Sequence, residues 1–428
     1  MEYLVAFLVL IGVLIWVHEL GHFLMAKLFG VKVETFSVGF GPVLLSKKLG
    51  ETEYRISALP LGGFVKLYGE EENLQDPRAF SSKPNWQKIL IALGGPLFNF
   101  LLAVLLFTFL AAVGGEIPKH VLEKPVVGYV VEGSLAHRMG IREGDLLIEI
   151  NSQKVDSWRE VEKVLLRNVL SKDWHVKVLR EGKEVSLSAR ESLARHANFG
   201  AEPYLPPVIG RVVEDSPAFQ VGLRPGDVVL KVNHQEVKGW YELVREVRKS
   251  GDRPVVITLK RGEQVEEKTL VPRIDPKTKM PMLGVGPYVE KVKESKALHQ
   301  AFVEGVERTY LLSLLSLKAV WSLVTGSLSV KTLGGPIAIA QLAGESAQQG
   351  ILSFIGMMSF ISVQLAVFNL LPLPVLDGGL VLLFLLESLR RRPLPHRFKE
   401  VWVKTGYALI VALASFVFIN DIVRLLGK

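Results

Sequence analysis

Residues 4–25 read LVAFLVLIGVLIWVHELGHFLM, and this stretch decides the fold class. It is uncharged as far as Val17 and stays apolar on both sides of His18-Glu19. A bilayer core needs about 20 apolar residues in one helix, so the stretch is long enough to span a membrane. A signal peptide is a weaker interpretation, because no basic segment precedes the apolar run and no cleavage motif follows it. We therefore predict a membrane-spanning helix that contains polar groups.

Three further apolar runs predict three more spans. Residues 89–115 are uncharged, residues 351–386 contain Asp377 as their only charge, and residues 405–420 form a shorter run. A mean hydropathy of +0.30 and a hydrophobic content of 49% also argue against an ordinary soluble protein. The expected fold class is a polytopic α-helical membrane protein with four transmembrane helices.

Basic residues beside the third run set the predicted orientation. Arginines at 390–392 are followed by Arg397 and further lysines, and such residues concentrate on the cytoplasmic side. Residues 30–88 and 387–403 are then inside, whereas both termini and residues 116–350 are outside. The net charge of +8 is dispersed or lies beside the membrane. We therefore expect the lipid bilayer, and no nucleic acid, as a partner.

The external segment contains an internal repeat. Residues 132–151, EGSLAHRMGIREGDLLIEIN, recur 82 positions later as EDSPAFQVGLRPGDVVLKVN, residues 214–233, with eight of the 20 positions identical. The similarity continues to Trp158 and Trp240. Two copies predict paired domains rather than a solenoid, which needs at least three repeats.

The repeated pattern resembles the bacterial PDZ domain, and the resemblance covers residues 116–200 and 202–290. PDZ domains bind extended peptides by adding them as a strand to a sheet edge. The alternative is that the pair acts as a size filter or spacer with little affinity for peptides. The sequence leaves both interpretations open.

His18-Glu19-Leu20-Gly21-His22 matches the H-E-x-x-H motif. Four residues apart on a helix, the two histidines lie on one face and can reach one zinc ion. Glu19 is placed to act as a general base on a water molecule. Ionisable groups in a span cost at least ~2.5–3.5 kcal/mol, which favours a metal site over histidines paired with other polar groups. With no cysteine in the chain, the other ligands must be histidines or carboxylates.

Asp377 is the candidate third ligand, in the segment NLLPLPVLDGG at residues 369–379. Two prolines there break the helix, and the glycine pair allows close backbone approach. Irregular backbone at membrane depth must be packed in protein or line a wet cavity. The alternative is a kinked helix whose aspartate reaches the membrane surface, which leaves the histidines without a partner.

HELGH in the first span, NLLPLPVLDGG in the third and the PDZ-like pair between them resemble the site-2 protease family of intramembrane zinc metalloproteases. The resemblance implies that His18, His22 and Asp377 bind zinc and that Glu19 is the catalytic base. It implies a bacterial inner membrane, with both termini and the PDZ domains on the periplasmic side. The implied substrates are single-span membrane proteins, chiefly an anti-sigma factor already shortened by another protease, and also remnant signal peptides.

Three amides extend the resemblance and are candidate substrate-binding residues. Asn99 ends the segment GGPLFN, which resembles the family's Gly-Pro-Xaa-Xaa-Asn motif, a point of close packing and hydrogen bonding. Asn369 resembles the polar residue ahead of the family's Leu-Asp-Gly motif. Gln364 stands where we would expect another asparagine, and its longer side chain puts a role there in doubt.

The remaining segments complete the expected domain layout. Residues 1–115 form the first part of the membrane core, and residues 351–428 form the second. Alternation and glycines in residues 31–68 predict strands, and the family has a membrane-associated β element at this place, here on the cytoplasmic side. Residues 291–350 are expected to lie at the outer membrane surface as an amphipathic region. A fifth span is the alternative, which four charges between residues 304 and 318 disfavour.

Two other functions remain as alternatives to proteolysis. One is a membrane scaffold whose PDZ domains collect partners around a structural metal, but a structural zinc site is closed by four ligands and needs no base such as Glu19. The other is a transporter with a metal site in the middle of the membrane. Transporters usually show repeated membrane halves, whereas here only the external domains repeat.

Overall fold

The computed structural model describes residues 2–70, 74–169, 171–191, 199–275, 280–326 and 334–426. The chain forms two compact units, Met1–Gly115 with Ser295–Lys428, and Glu116–Glu294. The described helices are α1 (Glu2–Leu28), α2 (Asn85–Val113), α3 (Leu135–Met139), α4 (Trp158–Arg167), α5 (Pro217–Gln220), α6 (Trp240–Ser250), α7 (Leu298–Val324), α8 (Pro336–Gln348), α9 (Ile351–Asn369), α10 (Asp377–Arg390) and α11 (His396–Leu426).

The described strands of the first unit are β1 (Val33–Leu49) and β2 (Thr52–Leu67). Those that follow are β3 (Gly115–Pro118), β4 (Val127–Val130), β5 (Leu146–Ile150), β6 (Gln153–Lys154), β7 (Asp173–Arg180), β8 (Lys183–Arg190), β9 (Ala201–Pro203), β10 (Ile209–Val212), β11 (Val228–Val232), β12 (Gln235–Glu236), β13 (Val255–Arg261), β14 (Gln264–Leu270), β15 (Arg273–Ile274), β16 (Pro281–Met282), β17 (Val285–Pro287) and β18 (Lys291–Glu294).

Four helices of the described chain, α1, α2, α9 and α11, are long and apolar enough to cross a membrane. They confirm the four apolar helices that the sequence predicts. The third apolar run is not one helix, because α9 ends at Asn369 and α10 begins at Asp377. Prolines 372 and 374 lie in this break, as expected for residues that cannot continue a helix. The break separates Asp377 from the helix before it.

Within the expected amphipathic region, residues 291–350, Leu298–Val324 form α7, which packs along α2. The buried residues of α7 are all small, Ala301, Gly305, Thr309 and Ser316, and Gly305 lies against Val104 and Thr108 of α2. Small residues let two helices approach closely. The backbone N–H of Lys296, just ahead of α7, donates to the carbonyl of Ala111 at 3.0 Å. The outer-surface location of this region stays a prediction.

Residues 31–68 form a two-stranded antiparallel hairpin of β1 and β2, with several register shifts. The predicted strands are therefore confirmed. The base of the hairpin is anchored by Val31, Val33 and Leu67, which are buried against Ala26 of α1 and Ile91 of α2. This anchoring places β2 beside the histidine-bearing part of α1.

Asp421 ties α11 to α8. Its buried carboxylate accepts hydrogen bonds from the backbone N–H groups of Gly335, Ile337 and Ala338 at 3.0, 3.1 and 3.2 Å. The first N–H groups of a helix have no partner within the helix, and a carboxylate there is also favoured by the helix dipole. Since α8 packs on α1 through Ala343, this contact supports the helix that carries the histidines.

The second unit contains two copies of one arrangement. In the first copy, the sheet β6-β5-β7-β8 is accompanied by the pair β4-β9, and in the second, β12-β11-β13-β14 is accompanied by β10-β17. Helices α4 and α6 occupy equivalent places in the chain and begin at the buried tryptophans 158 and 240. Strand β9 (Ala201–Pro203) pairs with β4 of the first copy.

Residues shared by the two repeats have the same contacts in each. The carboxylate of Asp145 accepts hydrogen bonds from the Arg180 guanidinium at 2.7 Å and from the Arg142 backbone N–H at 2.8 Å. Asp227 is bonded in the same way by Arg261 and by the Arg224 backbone. The aspartate of the repeated Gly-Asp sequence therefore forms an ion pair in each copy, with its carboxylate buried.

We predict that these ion pairs make the second unit sensitive to acid. Burial alone would raise the pKa of Asp145, but hydrogen bonds from Arg180 and the Arg142 backbone outweigh it and hold the pKa below its usual value. The resulting stability is present above the unfolded-state pKa of about 3.9 and is lost as pH falls through the lower folded-state pKa. Urea unfolding of the repeats, followed by pulse proteolysis of the full-length protein, should show this loss below about pH 4.

Asp145→Asn should lower the free energy of unfolding of the repeats at neutral pH by about 1–3 kcal/mol, and so should Asp227→Asn. Either variant should also weaken the acid dependence. Glu149→Gln is the matched control, because the Glu149–Lys177 pair is more exposed and should contribute less than about 1 kcal/mol. Equal effects of all three substitutions would contradict the assignment.

Candidate metal centre

The two histidines of α1 point their outer ring nitrogens at one place. They are one turn apart, and His18 Nε2 lies 3.3 Å from His22 Nε2. Both imidazoles are largely shielded from solvent, with side-chain exposures of 10% and 15%. Nitrogen atoms this close together in a buried site need a cation or a shared proton between them. The i, i+4 spacing therefore forms the half-site predicted from HELGH.

Asp377 completes the centre from the other side of the helix break. Its Oδ2 lies 3.1 Å from His18 Nε2, and its Oδ1 lies 3.4 Å from His22 Nε2. As the first residue of α10, it has its negative charge at a helix N-terminus, where the helix dipole favours an anion. The structure thus brings together all three residues predicted as ligands.

The backbone around the break is tightly constrained. Val375 has φ +78°, a left-handed conformation that is strained for a β-branched residue. A Cβ added to Gly378 or Gly379 would overlap the backbone carbonyls of Leu370 and Leu373. These glycines let the break fold back onto the start of α10, and this packing holds Asp377 in place.

Gly95 of α2 lies directly beneath both histidines. A Cβ added there would overlap the imidazole rings of His18 and His22. Gly94 is in similarly close contact with the backbone of Gly21. The glycine pair in α2 therefore sets the distance at which α1 and α2 pack, and this distance allows the imidazoles to lie between the helices.

The inner ring nitrogens of the histidines also have partners, both on α2. His22 Nδ1 lies 2.9 Å from the carbonyl oxygen of Ile91, and His18 Nδ1 lies 3.1 Å from the side-chain nitrogen Nδ2 of Asn99. A carbonyl can only accept, so His22 carries its proton on Nδ1 and leaves Nε2 with a lone pair. Such outer partners orient the histidine ligands of metal sites.

The donor set fits a divalent cation. Ligand atoms of His18, His22 and Asp377 all lie within 4.8 Å of one another. Among the described residues, Asp377 Oδ2 is buried without a hydrogen-bond partner, although it faces a histidine nitrogen. Lone pairs that converge without protons to share are what a metal requires. Two imidazoles, one carboxylate and no thiolate match the ligands of catalytic zinc.

A pocket of about 300 Å³ opens onto this centre. Glu19 and Asn369 line it together with residues 63–65 of β2, and the Glu19 carboxylate interacts with the Val65 backbone. Asn99 lies behind His18, outside the residues that line the pocket. Gln364 accepts a hydrogen bond from Ser316 at 3.0 Å, so its amide is engaged with α7.

Sequence reasoning missed two contributions to this site. Gly63 of β2 packs against the Glu19 side chain, and Gly95 makes room for the histidines. Both belong to Gly-Gly pairs, and these pairs are the sequence feature that could have indicated close packing at the site. The Ile91 carbonyl is a backbone group, and no pattern of residue types could have marked it.

A buried histidine–carboxylate centre that has its histidines on a helix able to span a membrane, and that shares a pocket with a glutamate, is typical of a membrane metalloprotease. Comparison with known proteins leads to the same class: the model of peptidase family M50 matches residues 6–413. The chain belongs to this family, the site-2 proteases.

Relatives similar over their full length include the regulator of sigma-E protease RseP of Escherichia coli K12, at 32% identity over 99% of this chain and 98% of the relative. The regulator of sigma-E protease RseP of Salmonella typhimurium strain 14028s has the same identity and coverage. The regulator of sigma E protease of Haemophilus influenzae is 31% identical over 98% of each chain. A PDZ domain of an SdrC-like protein from Listeria innocua is 27% identical, covering 20% of this chain and 96% of its own, with a TM-score of 0.18.

We predict that Gly95→Ala abolishes metal binding, because its methyl group would occupy the space of both imidazoles. The measurement is the metal content of the purified protein by mass spectrometry. Gly12→Ala is the matched control: it lies on α1 with open space around the added methyl, and it should keep the metal. Wild-type metal content in a folded Gly95→Ala protein would show that the two helices can separate without loss of the site.

Proposed function

We propose that this chain is a zinc-dependent intramembrane protease that hydrolyses peptide bonds in or near the transmembrane segment of single-span membrane proteins. The observation that supports this most strongly is the meeting of His18, His22 and Asp377 at one pocket with Glu19. The histidines lie in a helix long and apolar enough to span a membrane. A substrate's transmembrane segment could therefore reach the centre without leaving the bilayer.

The proposed roles follow from the chemistry of the four residues. His18, His22 and Asp377 hold the metal, and three protein ligands are the number typical of a catalytic rather than a structural zinc. Bound zinc would supply Lewis-acid polarisation of a peptide carbonyl and would acidify a water molecule. Glu19 accepts the proton of the attacking water on its carboxylate and returns it to the leaving amine.

We further propose that β2 holds the substrate as an extended strand. A transmembrane helix must unwind before its peptide bonds can be attacked, and a strand edge offers backbone hydrogen bonds to an unwound segment. Residues 63–65 of β2 already line the pocket beside Glu19. Of the three candidate amides, Asn369 is the one that faces this space, and we assign it to substrate contact.

The names of several full-length relatives connect those proteins to the regulation of sigma E. From this and from the family resemblance, we propose that the substrate is an anti-sigma factor already shortened by another protease. Remnant signal peptides are a second class with the same single-span character. The proposed location is the bacterial inner membrane, with both termini and residues 116–294 on the periplasmic side.

We propose that the two repeats of residues 116–294 are tandem PDZ domains that control which substrates reach the zinc. All the proposed catalytic residues belong to the other unit. The chain leaves that unit at Gly115 and returns at Ser295, beside the hydrogen bond between Lys296 and Ala111. Both connections therefore join the membrane unit at one place, as suits an inserted module that can be removed.

We predict that His18→Ala, His22→Ala and Asp377→Ala each lose zinc and activity, because each removes one of only three protein ligands. Zinc content and cleavage of a tagged single-span substrate are the measurements. Asp377→Ala is the most informative variant, since Asp377 is distant in sequence from the histidines. Full zinc occupancy in that variant would remove Asp377 from the ligand set.

Glu19→Gln should separate binding from chemistry. Glutamine keeps the shape of the side chain but cannot take a proton from water, so the variant should bind zinc and substrate and fail to cleave. A loss of at least about 100-fold in cleavage rate is expected from removal of a general base. Near-normal turnover by Glu19→Gln would refute this mechanism even if the zinc stays in place.

Deletion of residues 116–294, with a short flexible linker from Gly115 to Ser295, should leave cleavage of shortened substrates largely intact. It should also admit substrates with bulky external domains that the full-length protein rejects, because the proposed filter is gone. Both substrate forms are assayed against both proteins. If the repeats are instead the main docking site, cleavage of shortened substrates will fall through weaker binding. A deletion protein that keeps its zinc but cuts neither form would contradict the filter.

A further inference from the structure

Three residues on one face of α2 contact the inner sides of the two histidines. Ile91, Gly95 and Asn99 are spaced four residues apart, so they lie on one face of α2. The Ile91 carbonyl meets His22, Gly95 lies beneath both rings, and Asn99 meets His18. Asn99 is the member of this set whose side chain makes a polar contact, and the proposed function so far gives it no role.

Asn99 is held firmly in this position. Its exposure is 0%, and its backbone carbonyl accepts a hydrogen bond from Ser362 Oγ of α9 at 2.8 Å. Its side chain reaches His18 of α1. Three helices therefore meet at one buried asparagine. Its Oδ1 atom has no hydrogen-bond partner among the described residues, which is costly for a buried polar atom.

The chemistry of His18 requires an acceptor at this point. A neutral imidazole carries one proton, so a histidine that binds a metal through Nε2 must carry that proton on Nδ1. His18 Nε2 is the nitrogen that faces Asp377 and His22. Its Nδ1–H then points at Asn99 and needs an oxygen there. In the structure Nδ2 faces His18, and a half-turn of the amide, which exchanges NH₂ and oxygen without changing the shape of the side chain, places the unpartnered Oδ1 there.

We propose that Asn99 is a positioning residue for the metal centre. Its amide oxygen accepts the Nδ1–H of His18 and holds this ring in the tautomer and orientation that present Nε2 to zinc. The inference rests on the proposed zinc site. It also makes the two histidines equivalent: each donates its Nδ1–H to a carbonyl oxygen from the same face of α2, His22 to a backbone group and His18 to a side chain.

The test is zinc affinity, measured by chelator competition on the purified full-length protein. Asn99→Leu keeps the volume of the side chain but removes the acceptor, and it should bind zinc about 10- to 100-fold more weakly. Asn99→Asp keeps an acceptor oxygen and should bind zinc at least as tightly as the wild type. Thr108→Val is the matched control: it removes a buried hydroxyl from the same helix, bonded only within that helix in the described contacts, and should leave zinc affinity unchanged.

The variants Asn99→Leu and Asn99→Asp together distinguish a positioning role of Asn99 from a merely structural one. If Asn99 only stabilises the helix bundle, Asn99→Leu will lower the melting temperature while its zinc affinity stays at the wild-type value, and the proposal fails. If Asn99 acts as a donor to His18, Asn99→Asp will lose zinc despite a normal fold, and the proposal also fails. Should Asn99→Leu not fold, Asn99→Ala, which also removes the acceptor, takes its place in the same measurement: wild-type zinc affinity in folded Asn99→Ala overturns the proposal.

His22→Ala, measured in parallel, distinguishes failure of this inference from failure of the zinc site. If His22→Ala keeps zinc, the proposed ligand set is wrong and the role of Asn99 falls with it. If His22→Ala loses zinc and folded Asn99→Leu binds it like the wild type, only the positioning role is overturned.

Discussion

The structure depends on one constraint: two imidazoles and a carboxylate must meet within a largely apolar helix bundle. An ionisable group at membrane depth costs several kcal/mol unless a partner compensates it. His18 and His22 come from one helix, whereas Asp377 arrives from a break between two others. Each of these groups lacks a stable environment without the rest. The meeting point therefore fixes the relative positions of α1 and α10, and a bound cation would remove the remaining electrostatic cost.

Much of the surrounding architecture serves this meeting point. Glycines remove side chains where rings or backbone must fit, at Gly95 beneath the histidines and at residues 378–379 in the break. The strained backbone of Val375 is retained beside Asp377, which is typical of positions where function over-determines the conformation. This strain is offset by the rest of the bundle, which is held by apolar packing and by buried hydrogen bonds such as those of Asp421. On the same helices, some residues thus form the proposed metal site, and their neighbours stabilise the bundle.

The sequence predicted the parts of this site that carry local signals. HELGH places two histidines on one helix face, and a lone aspartate between prolines and glycines marks a break, so the ligand set could be proposed before the structure. The repeat was visible because Gly-Asp and Asn recur, and the structure shows the ion pairs that require the two aspartates. The contact of Asn99 with His18 and the engagement of Gln364 with Ser316 could not be predicted. They depend on which faces of separate helices meet, and hydrophobic patterns in spans that are apolar all round do not specify this.

X-ray absorption at the zinc edge of purified, proteolytically active protein tests the central claim most directly. This account predicts about one zinc per chain, bound by two imidazole nitrogens at about 2.0–2.1 Å and by oxygen ligands at about 2.0–2.2 Å. Replacement of His22 by alanine should remove the zinc, and with it the spectrum. Full activity in protein without a bound metal, or a zinc spectrum that replacement of His22 leaves unchanged, would contradict it.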